Sequence, residues 1–270
     1  MRFVTYERGG AVYAGVVVDS GVLEAGEGGI GALLRRGGLP AAAPSGEPIP
    51  VDSVQLLPPV LDPSKIVCLG LNYRSHAEEA GIEAPSVPTF FAKWPNALAA
   101  PGADVPLPAY SQKVDYEAEV AFVIGRRCRD VPEADALGVV AGYTLLNDLS
   151  ARDYQFKTPQ WGPGKVFDGS APCGPALVTP DEAGPPDALE ISLTLNGEVM
   201  QSASTADLIH SIPSVVAYLS QLMTLEPGDL VSTGTPAGVG SVRQPPVWLK
   251  PGDEVVVESP QLGRLETRLV

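Results

Sequence analysis

Short apolar runs separated by glycine and proline recur along the chain, and most have the length of a β-strand. Runs of four to eight aliphatic or aromatic residues bounded by turn residues are typical of strands. The predicted strands are Phe3–Glu7, Ala11–Asp19, Lys65–Leu69, Glu117–Ile124, Ala141–Leu146, Leu189–Leu195, Leu230–Thr233 and Glu254–Glu258. Because strands outnumber helices and do not alternate with them, the pattern predicts an α+β, mainly β fold rather than a doubly wound one.

Helical periodicity is confined to a few short segments. The predicted helices are Ile30–Arg36, Asn72–Ala80 and Pro213–Met223. Gly81 follows the second helix as a favourable C-terminal residue, and Ser211 precedes the third as an N-cap. The Pro- and Ala-rich stretch Leu39–Pro50 predicts a boundary between a small N-terminal domain, residues 1–57, and a larger domain, residues 58–270.

Charge and composition exclude several classes of function. Asp and Glu number 32 against 18 Lys and Arg, a net charge of −14, which argues against binding to nucleic acid or an anionic membrane. Glu7 and Arg8 stand where a signal peptide needs apolar residues. The three cysteines, Cys68, Cys128 and Cys173, form no CxxC pair. We therefore expect a cytoplasmic protein.

Histidine is too scarce for a typical zinc site. Only His76 and His210 occur, and we interpret His210, which has apolar neighbours, as a packing residue. A metal in this protein must be held by carboxylates, which favours Mg²⁺, Mn²⁺ or Ca²⁺.

Two glutamates on one strand are the first candidate ligands. The period of a strand places Glu117 and Glu119 on the same face, about 7 Å apart. Asp148 follows the strand Ala141–Leu146 and supplies a third carboxylate. Three carboxylates of this kind suit a magnesium ion. The alternatives are a solvated acidic face on an edge strand and an aspartate that only caps a turn.

Other candidates lie in short polar segments. His76 and Glu79 are three residues apart on a predicted helix, where they could form a general base or merely a solvated contact. Lys165 lies in a glycine-rich turn that lacks the spacing of a phosphate-binding loop. The glycine-rich segment 233–240 gives a ligand close access to the backbone, or is an ordinary turn.

Taken in order, six segments resemble the fumarylacetoacetate hydrolase family. They are KIVCLGLNYRSHAEEAG, PTFFAKWPNAL, DYEAEVAFVIG, GYTLLNDLSARDYQ, GKVFDGSAPCGP and LEPGDLVSTGTPAGVG. The resemblance implies a mixed β-sandwich roll, a divalent cation (Mg²⁺ or Mn²⁺, with Ca²⁺ as a substitute), a homodimer and a small 2-oxo acid substrate.

The resemblance also implies roles for particular residues, matched by position. The implied metal ligands are Glu117, Glu119 and Asp148; the implied catalytic residues are His76, Glu79 and Lys165; the implied substrate-binding residues are Arg152, Gln155 and Thr235. Because its N-terminal part is short and its catalytic unit is not duplicated, the chain is most similar to single-unit bacterial members. These are named as isomerases of 2-hydroxyhepta-2,4-diene-1,7-dioate, a compound of aromatic catabolism.

The function expected first is metal-dependent hydrolysis of a C–C bond in an acylpyruvate-like 2-oxo acid. In that reaction, Glu79 and His76 would activate water while Lys165 and Arg152 supply positive charge. Isomerisation of a hydroxy-diene dioate or tautomerisation of oxaloacetate is the alternative, since the same groups can move protons only. A metal-stabilised binding protein without turnover is the alternative of another class.

Overall fold

The structure is a computed structural model that describes residues 1–270. Its strands are β1 (Arg2–Arg8), β2 (Ala11–Val18), β3 (Gly21–Glu27), β4 (Gln55–Leu57), β5 (Ile66–Gly70), β6 (Thr89–Lys93), β7 (Leu98–Ala99), β8 (Asp104–Val105), β9 (Val114–Asp115), β10 (Ala118–Ile124), β11 (Val140–Asn147), β12 (Ser150–Ala151), β13 (Ala171–Val178), β14 (Glu190–Leu195), β15 (Glu198–Ser204), β16 (Leu230–Ser232), β17 (Glu254–Ser259) and β18 (Gly263–Leu269). Its α-helices are α1 (Gly29–Arg36), α2 (Arg74–Ala80), α3 (Arg152–Gln155), α4 (Gly162–Lys165), α5 (Pro180–Ala183) and α6 (Ile212–Leu222). Short 3₁₀ helices lie at Val51–Ser53, Pro95–Ala97, Glu133–Val139, Thr205–Asp207 and Gly240–Val242.

Two larger sheets and one small one organise the chain. The largest has eleven strands and runs in the order β3-β2-β1-β13-β11-β10-β16-β5-β6, with β4 paired to β1 and β7 paired to β13. The second runs β15-β14-β17-β18-β8, and β9 pairs with β12. This architecture confirms the prediction of an α+β, mainly β fold. Every predicted strand and helix is present, with ends displaced by at most two residues.

Strand β10 lies at the centre of the molecule and is buried on both faces. Val120 and Phe122 point into the larger core, which includes residues of β14, β17 and α6. Ala121 and Val123 point into a second core that includes residues of α1. Because β10 is hydrogen-bonded to β11 on one side and β16 on the other, it is not an edge strand. The alternative of a solvated acidic face is therefore wrong.

The N-terminal part shares the large sheet with the remainder of the chain. Strand β1 pairs antiparallel with β13, so residues 1–57 and residues 58–270 are joined by backbone hydrogen bonds. Ile49, within the predicted linker, forms a bridge with Val22. The domain boundary at residue 57 stays a prediction. No helix of the structure has the length and apolar character that crossing a membrane requires.

Candidate active site

Three carboxylates converge where β10 begins and β11 ends. Ala118 pairs with Asn147 in these antiparallel strands, and the Asp148 N–H donates to the Glu117 carbonyl at 2.9 Å. One oxygen each from Glu117, Glu119 and Asp148 lie within 4.8 Å of one another, and all three residues are buried. Strand alternation thus places both glutamates on the face that Asp148 reaches.

Buried cations surround two of these carboxylates. Lys165 Nζ lies 2.7 Å from both Glu117 Oε2 and Asp148 Oδ2. Lys93 Nζ lies 2.8 Å from Asp148 Oδ1, and Arg152 Nη2 lies 2.6 Å from Glu117 Oε1. Although burial opposes the shift, Arg152 and then Lys165 lower the pKa of Glu117 to about 2. The Asp148 side chain therefore pairs with cations, and the alternative that it caps a turn is wrong.

Glu119 has no cationic partner of its own. Its carboxylate accepts the Ser232 hydroxyl and, at 3.3 Å, the Gly234 N–H. Burial, followed by the negative charges of Asp148 and Glu117, raises the pKa of Glu119 well above its ordinary value. The buried cluster thus contains a carboxylate whose charge the protein itself does not neutralise.

The charge and chemistry of this cluster fit a divalent cation. The cluster contains four buried carboxylates, Asp115, Glu117, Glu119 and Asp148, and three buried cations, Lys93, Arg152 and Lys165. One negative charge is left without a protein partner. Oxygen donors of this kind suit hard cations such as Mg²⁺ and Mn²⁺ rather than zinc.

Asp115 fixes the position of Arg152 and of a loop beside it. Its fully buried carboxylate lies 2.9 Å from both Arg152 Nε and Nη2. The same carboxylate accepts the backbone N–H groups of Gly240 at 2.7 Å and Ser241 at 3.0 Å. Arg152 Nη1 in turn donates to Gln155 Oε1 at 3.0 Å. Arg152 and Gln155, two of the three predicted substrate-binding residues, are therefore held in one buried hydrogen-bonded network.

The histidine–glutamate pair on α2 is anchored to the glycine-rich loop. His76 Nδ1 lies 3.5 Å from Glu79 Oε2, and their side chains are 15% and 25% exposed. The Glu79 carboxylate accepts the Gly238 N–H with both oxygens, at 3.0 and 3.1 Å. The pair is therefore not a solvated surface contact.

A cavity of about 180 Å³ joins these groups. Its polar lining residues include His76, Glu117, Glu119, Arg152, Gln155, Lys165, Thr235 and Ser241, and its apolar lining residues include Leu71, Ile82, Phe91, Phe156, Trp161, Val239 and Val242. Seven of the nine predicted site residues thus face one cavity. Glu79 and Asp148 do not line the cavity, but each contacts a residue that does: Glu79 contacts His76, and Asp148 contacts Lys165. The role of each residue stays a prediction.

Lys93 and Asp115 belong to the site but were not singled out from the sequence. Lys93 Nζ donates to the Lys165 carbonyl and, at 2.9 Å, to the Ser170 carbonyl, so its ammonium is fixed inside the protein. The chain has only six lysines, and this one follows an apolar run, which is the available signal for burial. Asp115 lies two residues before Glu117, but no local pattern distinguishes it from a turn residue.

Comparison with known proteins supports the fold and identifies the family. Residues 65–270 match the family model described as Fumarylacetoacetate (FAA) hydrolase C-terminal. A mitochondrial oxaloacetate tautomerase of Rattus norvegicus is 43% identical over 223 residues, which is 82% of this chain and 71% of that protein.

Two solved structures are similar over the whole chain. A fumarylacetoacetate hydrolase of Exiguobacterium antarcticum is 33% identical, with a TM-score of 0.88 and coverage of 100% of this chain and 99% of that one. A 5-carboxymethyl-2-hydroxymuconate delta-isomerase of Mycobacterium smegmatis is 35% identical, with a TM-score of 0.83 and coverage of 100% and 98%.

The family match and the named relatives identify this mainly β protein as an enzyme. The chain belongs to the fumarylacetoacetate hydrolase family. Enzymes of this family typically depend on a divalent metal, and their relatives of known name include tautomerases, isomerases and hydrolases.

Proposed function

We propose that this protein is a divalent-metal-dependent enzyme that forms the enolate of a compact 2-oxo acid, and that tautomerisation of an oxaloacetate-like acid is its main reaction. The observation that carries the proposal is the cavity of about 180 Å³, whose Lys and Arg side chains, Lys165 and Arg152, both lie at the carboxylate end. Pockets for drug-sized ligands are larger, about 300–1,000 Å³. The name of the rat relative supports the same reaction.

Glu117, Glu119 and Asp148 would hold the cation. When bound, a divalent cation supplies Lewis-acid stabilisation of the negative charge that develops on the 2-oxo group. Lys165 and Arg152 bind the substrate carboxylate and add positive charge in a buried site, where it acts more strongly than in water.

His76 moves the proton at C3 of the substrate. Its ring lines the cavity that the carboxylates also line, and Glu79 lies 3.5 Å from Nδ1, where it orients the imidazole. Phe91 and Trp161 form an apolar wall that keeps water away from the reacting carbon. In tautomerisation the enol hydroxyl gives up its proton and C3 receives one, and no C–C bond is broken.

Hydrolysis of an acylpyruvate-like C–C bond is the second candidate. It is favoured by the glutamate beside the histidine, because a carboxylate in that position can activate a water molecule. Hydrolysis needs both members of the pair, whereas tautomerisation needs a proton carrier and a stabilised enolate.

Product analysis with a panel of substrates tests the proposal. Enol-oxaloacetate, acetylpyruvate, fumarylpyruvate and a hydroxy-diene dioate are each mixed with the protein, with and without Mg²⁺. We expect faster Mg²⁺-dependent ketonisation of oxaloacetate than turnover of any other substrate. Efficient cleavage of acetylpyruvate with no effect on oxaloacetate would replace the tautomerase by the hydrolase. No Mg²⁺-dependent change of any substrate would favour the binding protein.

We also propose that the protein is a homodimer. Exposed apolar side chains Phe90 and Trp94 lie on or directly after β6, the terminal strand of the large sheet, and natural proteins usually cover such edges. Sedimentation should give about twice the chain mass of 28.1 kDa. A single species of the chain mass would contradict the dimer.

A further inference from the structure

Helix α2 carries His76 and Glu79 but has no N-cap of its own. The residue at its N-cap position is Tyr73, whose side chain makes no capping hydrogen bond. The first N–H groups of any helix lack partners within the helix and need an acceptor from elsewhere. An unsatisfied first turn would fray and displace the pair of side chains that face the cavity.

Asp207 supplies that acceptor from a distant part of the chain. Its Oδ2 accepts the backbone N–H of Ser75 at 3.0 Å and also accepts the Ser75 hydroxyl. Asp207 is the last residue of a 3₁₀ helix that is capped by Ser204, whose hydroxyl accepts the Ala206 N–H at 3.3 Å. A carboxylate at this end of a helix is favourable for hydrogen bonding and for the helix dipole.

The segment around Asp207 is fastened to the start of α2 by further bonds. The Ile209 N–H donates to the Asn72 carbonyl at 2.7 Å, and the His210 N–H donates to Asn72 Oδ1 at 2.8 Å. The Asn72 amide donates to the carbonyls of His210 at 3.1 Å and Thr233 at 2.9 Å. Asn72 is buried, so these bonds are shielded from water.

These contacts hold helix α2 at both of its ends. Asp207 and Asn72 hold the N-terminal end of α2, and the bond from Gly238 to Glu79 holds the C-terminal end. Residues of the loop 233–238 take part at both ends, and its Gly234 N–H also reaches Glu119. The orientation of His76 relative to the carboxylates thus depends on both attachments.

We propose that Asp207 is a positioning residue for the reaction. It caps α2 from a distant part of the same chain and thereby fixes His76 and Glu79 against the cavity. The proposal rests on the proposed function for its kinetic consequence. Asp207 does not line the cavity and makes no hydrogen bond to the carboxylate triad, so it acts on the site through the position of α2.

The test compares Asp207→Ala with Asp253→Ala. Asp253 is a matched control, because it also accepts a backbone N–H, that of Lys250 at 2.7 Å, in a turn without site residues. Hydrogen exchange of residues 74–80 is measured beside kcat, KM and Mg²⁺ affinity. In Asp207→Ala we expect exchange of α2 to rise about five- to thirtyfold. We expect kcat to fall as well, because His76 is oriented less firmly, with Mg²⁺ affinity unchanged. Asp253→Ala should change neither exchange of α2 nor kcat.

The conservative variant Asp207→Asn retains an acceptor oxygen and should recover most of the lost kcat. Unchanged exchange of α2 in Asp207→Ala would overturn the proposal, as would an equal fall of kcat in both alanine variants. Faster exchange with an unaltered kcat would also overturn it, since the cap would then be structural only. If the wild type converts no 2-oxo acid, the proposed function fails. The capping role of Asp207 is tested separately, because the exchange measurement does not depend on turnover.

Discussion

Glu79 accepts the backbone N–H of Gly238 on both carboxylate oxygens, at 3.0 and 3.1 Å. This contact joins the helix that carries His76 to the loop that reaches Glu119. Gly238 has φ of +101°, and a Cβ at that position would lie 2.2 Å from the Met200 carbonyl oxygen. The loop therefore requires glycine here, and Glu79 recognises its backbone rather than a side chain.

Glu79→Gln separates the two candidate reactions. The amide keeps the size of the side chain and one acceptor oxygen but removes the charge that orients and activates the pair. We expect hydrolysis of acetylpyruvate, if present, to fall at least about 100-fold, since general bases typically contribute 10²- to 10⁴-fold. Ketonisation of oxaloacetate should fall less, because His76 and Lys165 remain. Equal losses of both reactions, measured by product analysis, would show that the pair has the same role in each.

Glu119→Gln should remove metal binding. We expect Mg²⁺ or Mn²⁺ affinity to fall at least about 100-fold in calorimetric titration, because even residues outside the coordination shell contribute 10- to 100-fold. The exposed Glu198 provides a control, Glu198→Gln, that should bind metal as the wild type does. Unchanged affinity in Glu119→Gln would contradict the assignment of the triad.

Glu119→Gln should also change how the stability of the protein depends on metal. Wild-type Glu119 is a buried carboxylate without a cationic partner, so the neutral amide should leave the metal-free protein at least as stable. Saturating metal should raise the stability of the wild type by about 2.7 kcal/mol at a hundredfold excess over Kd, and should not raise that of the variant. Thermal unfolding with and without metal measures both effects.

Lys93→Met should destabilise the protein strongly. Removing a buried ammonium leaves Asp148 with an uncompensated charge on that side, and breaking such a pair costs about 3–5 kcal/mol. The exposed Lys250 gives the matched control Lys250→Met, for which we expect a change within about 0.5 kcal/mol. Urea unfolding of the metal-free proteins measures the difference. Equal stability of the two variants would mean that Lys93 does not support the triad.

Thiol reactivity tests the fold independently of the chemistry. Cys68 and Cys173 are buried, and burial raises the pKa of Cys173 to about 12, so neither should react in the native protein. Cys128 is half-buried and should be the one thiol that reacts with an aromatic disulfide reagent. The native protein should therefore release one equivalent, and the unfolded protein three. Rapid release of two or more equivalents from the native protein would contradict the described packing.

Local patterns predicted eight of the eighteen strands, most of which are apolar runs with clear boundaries. The other ten strands were not predicted, among them β3, β6 and β13 in the large sheet and β15 and β18 in the second sheet. Segment Glu198–Ser204 is largely polar, and Gly263–Leu269 alternates charged with apolar residues, so neither forms an apolar run. Each is stabilised by antiparallel pairing with the strand just before it in the chain, β14 or β17, across a short turn.

The site was predictable where one strand carries its residues and hidden where several segments meet. Period-two spacing places Glu117 and Glu119 together, and the position of Asp148 after a neighbouring strand adds the third carboxylate. The partners of these groups depend on strand order: Lys93 belongs to β6, which lies three positions from β10 in the large sheet. Asp207 is 132 residues from Ser75, whose N–H it accepts, and no local sequence pattern predicts a contact between such distant residues.

The rate of enol-oxaloacetate ketonisation, followed by loss of the enol absorbance, tests the central claim most directly. The Mg²⁺-loaded protein is compared with the protein stripped of metal and with Mg²⁺ alone at the same concentration. We predict at least about a 100-fold acceleration by the loaded protein, lost on stripping and restored by Mg²⁺. A rate equal to that of Mg²⁺ alone, or one that stripping leaves unchanged, would contradict a metal-dependent tautomerase.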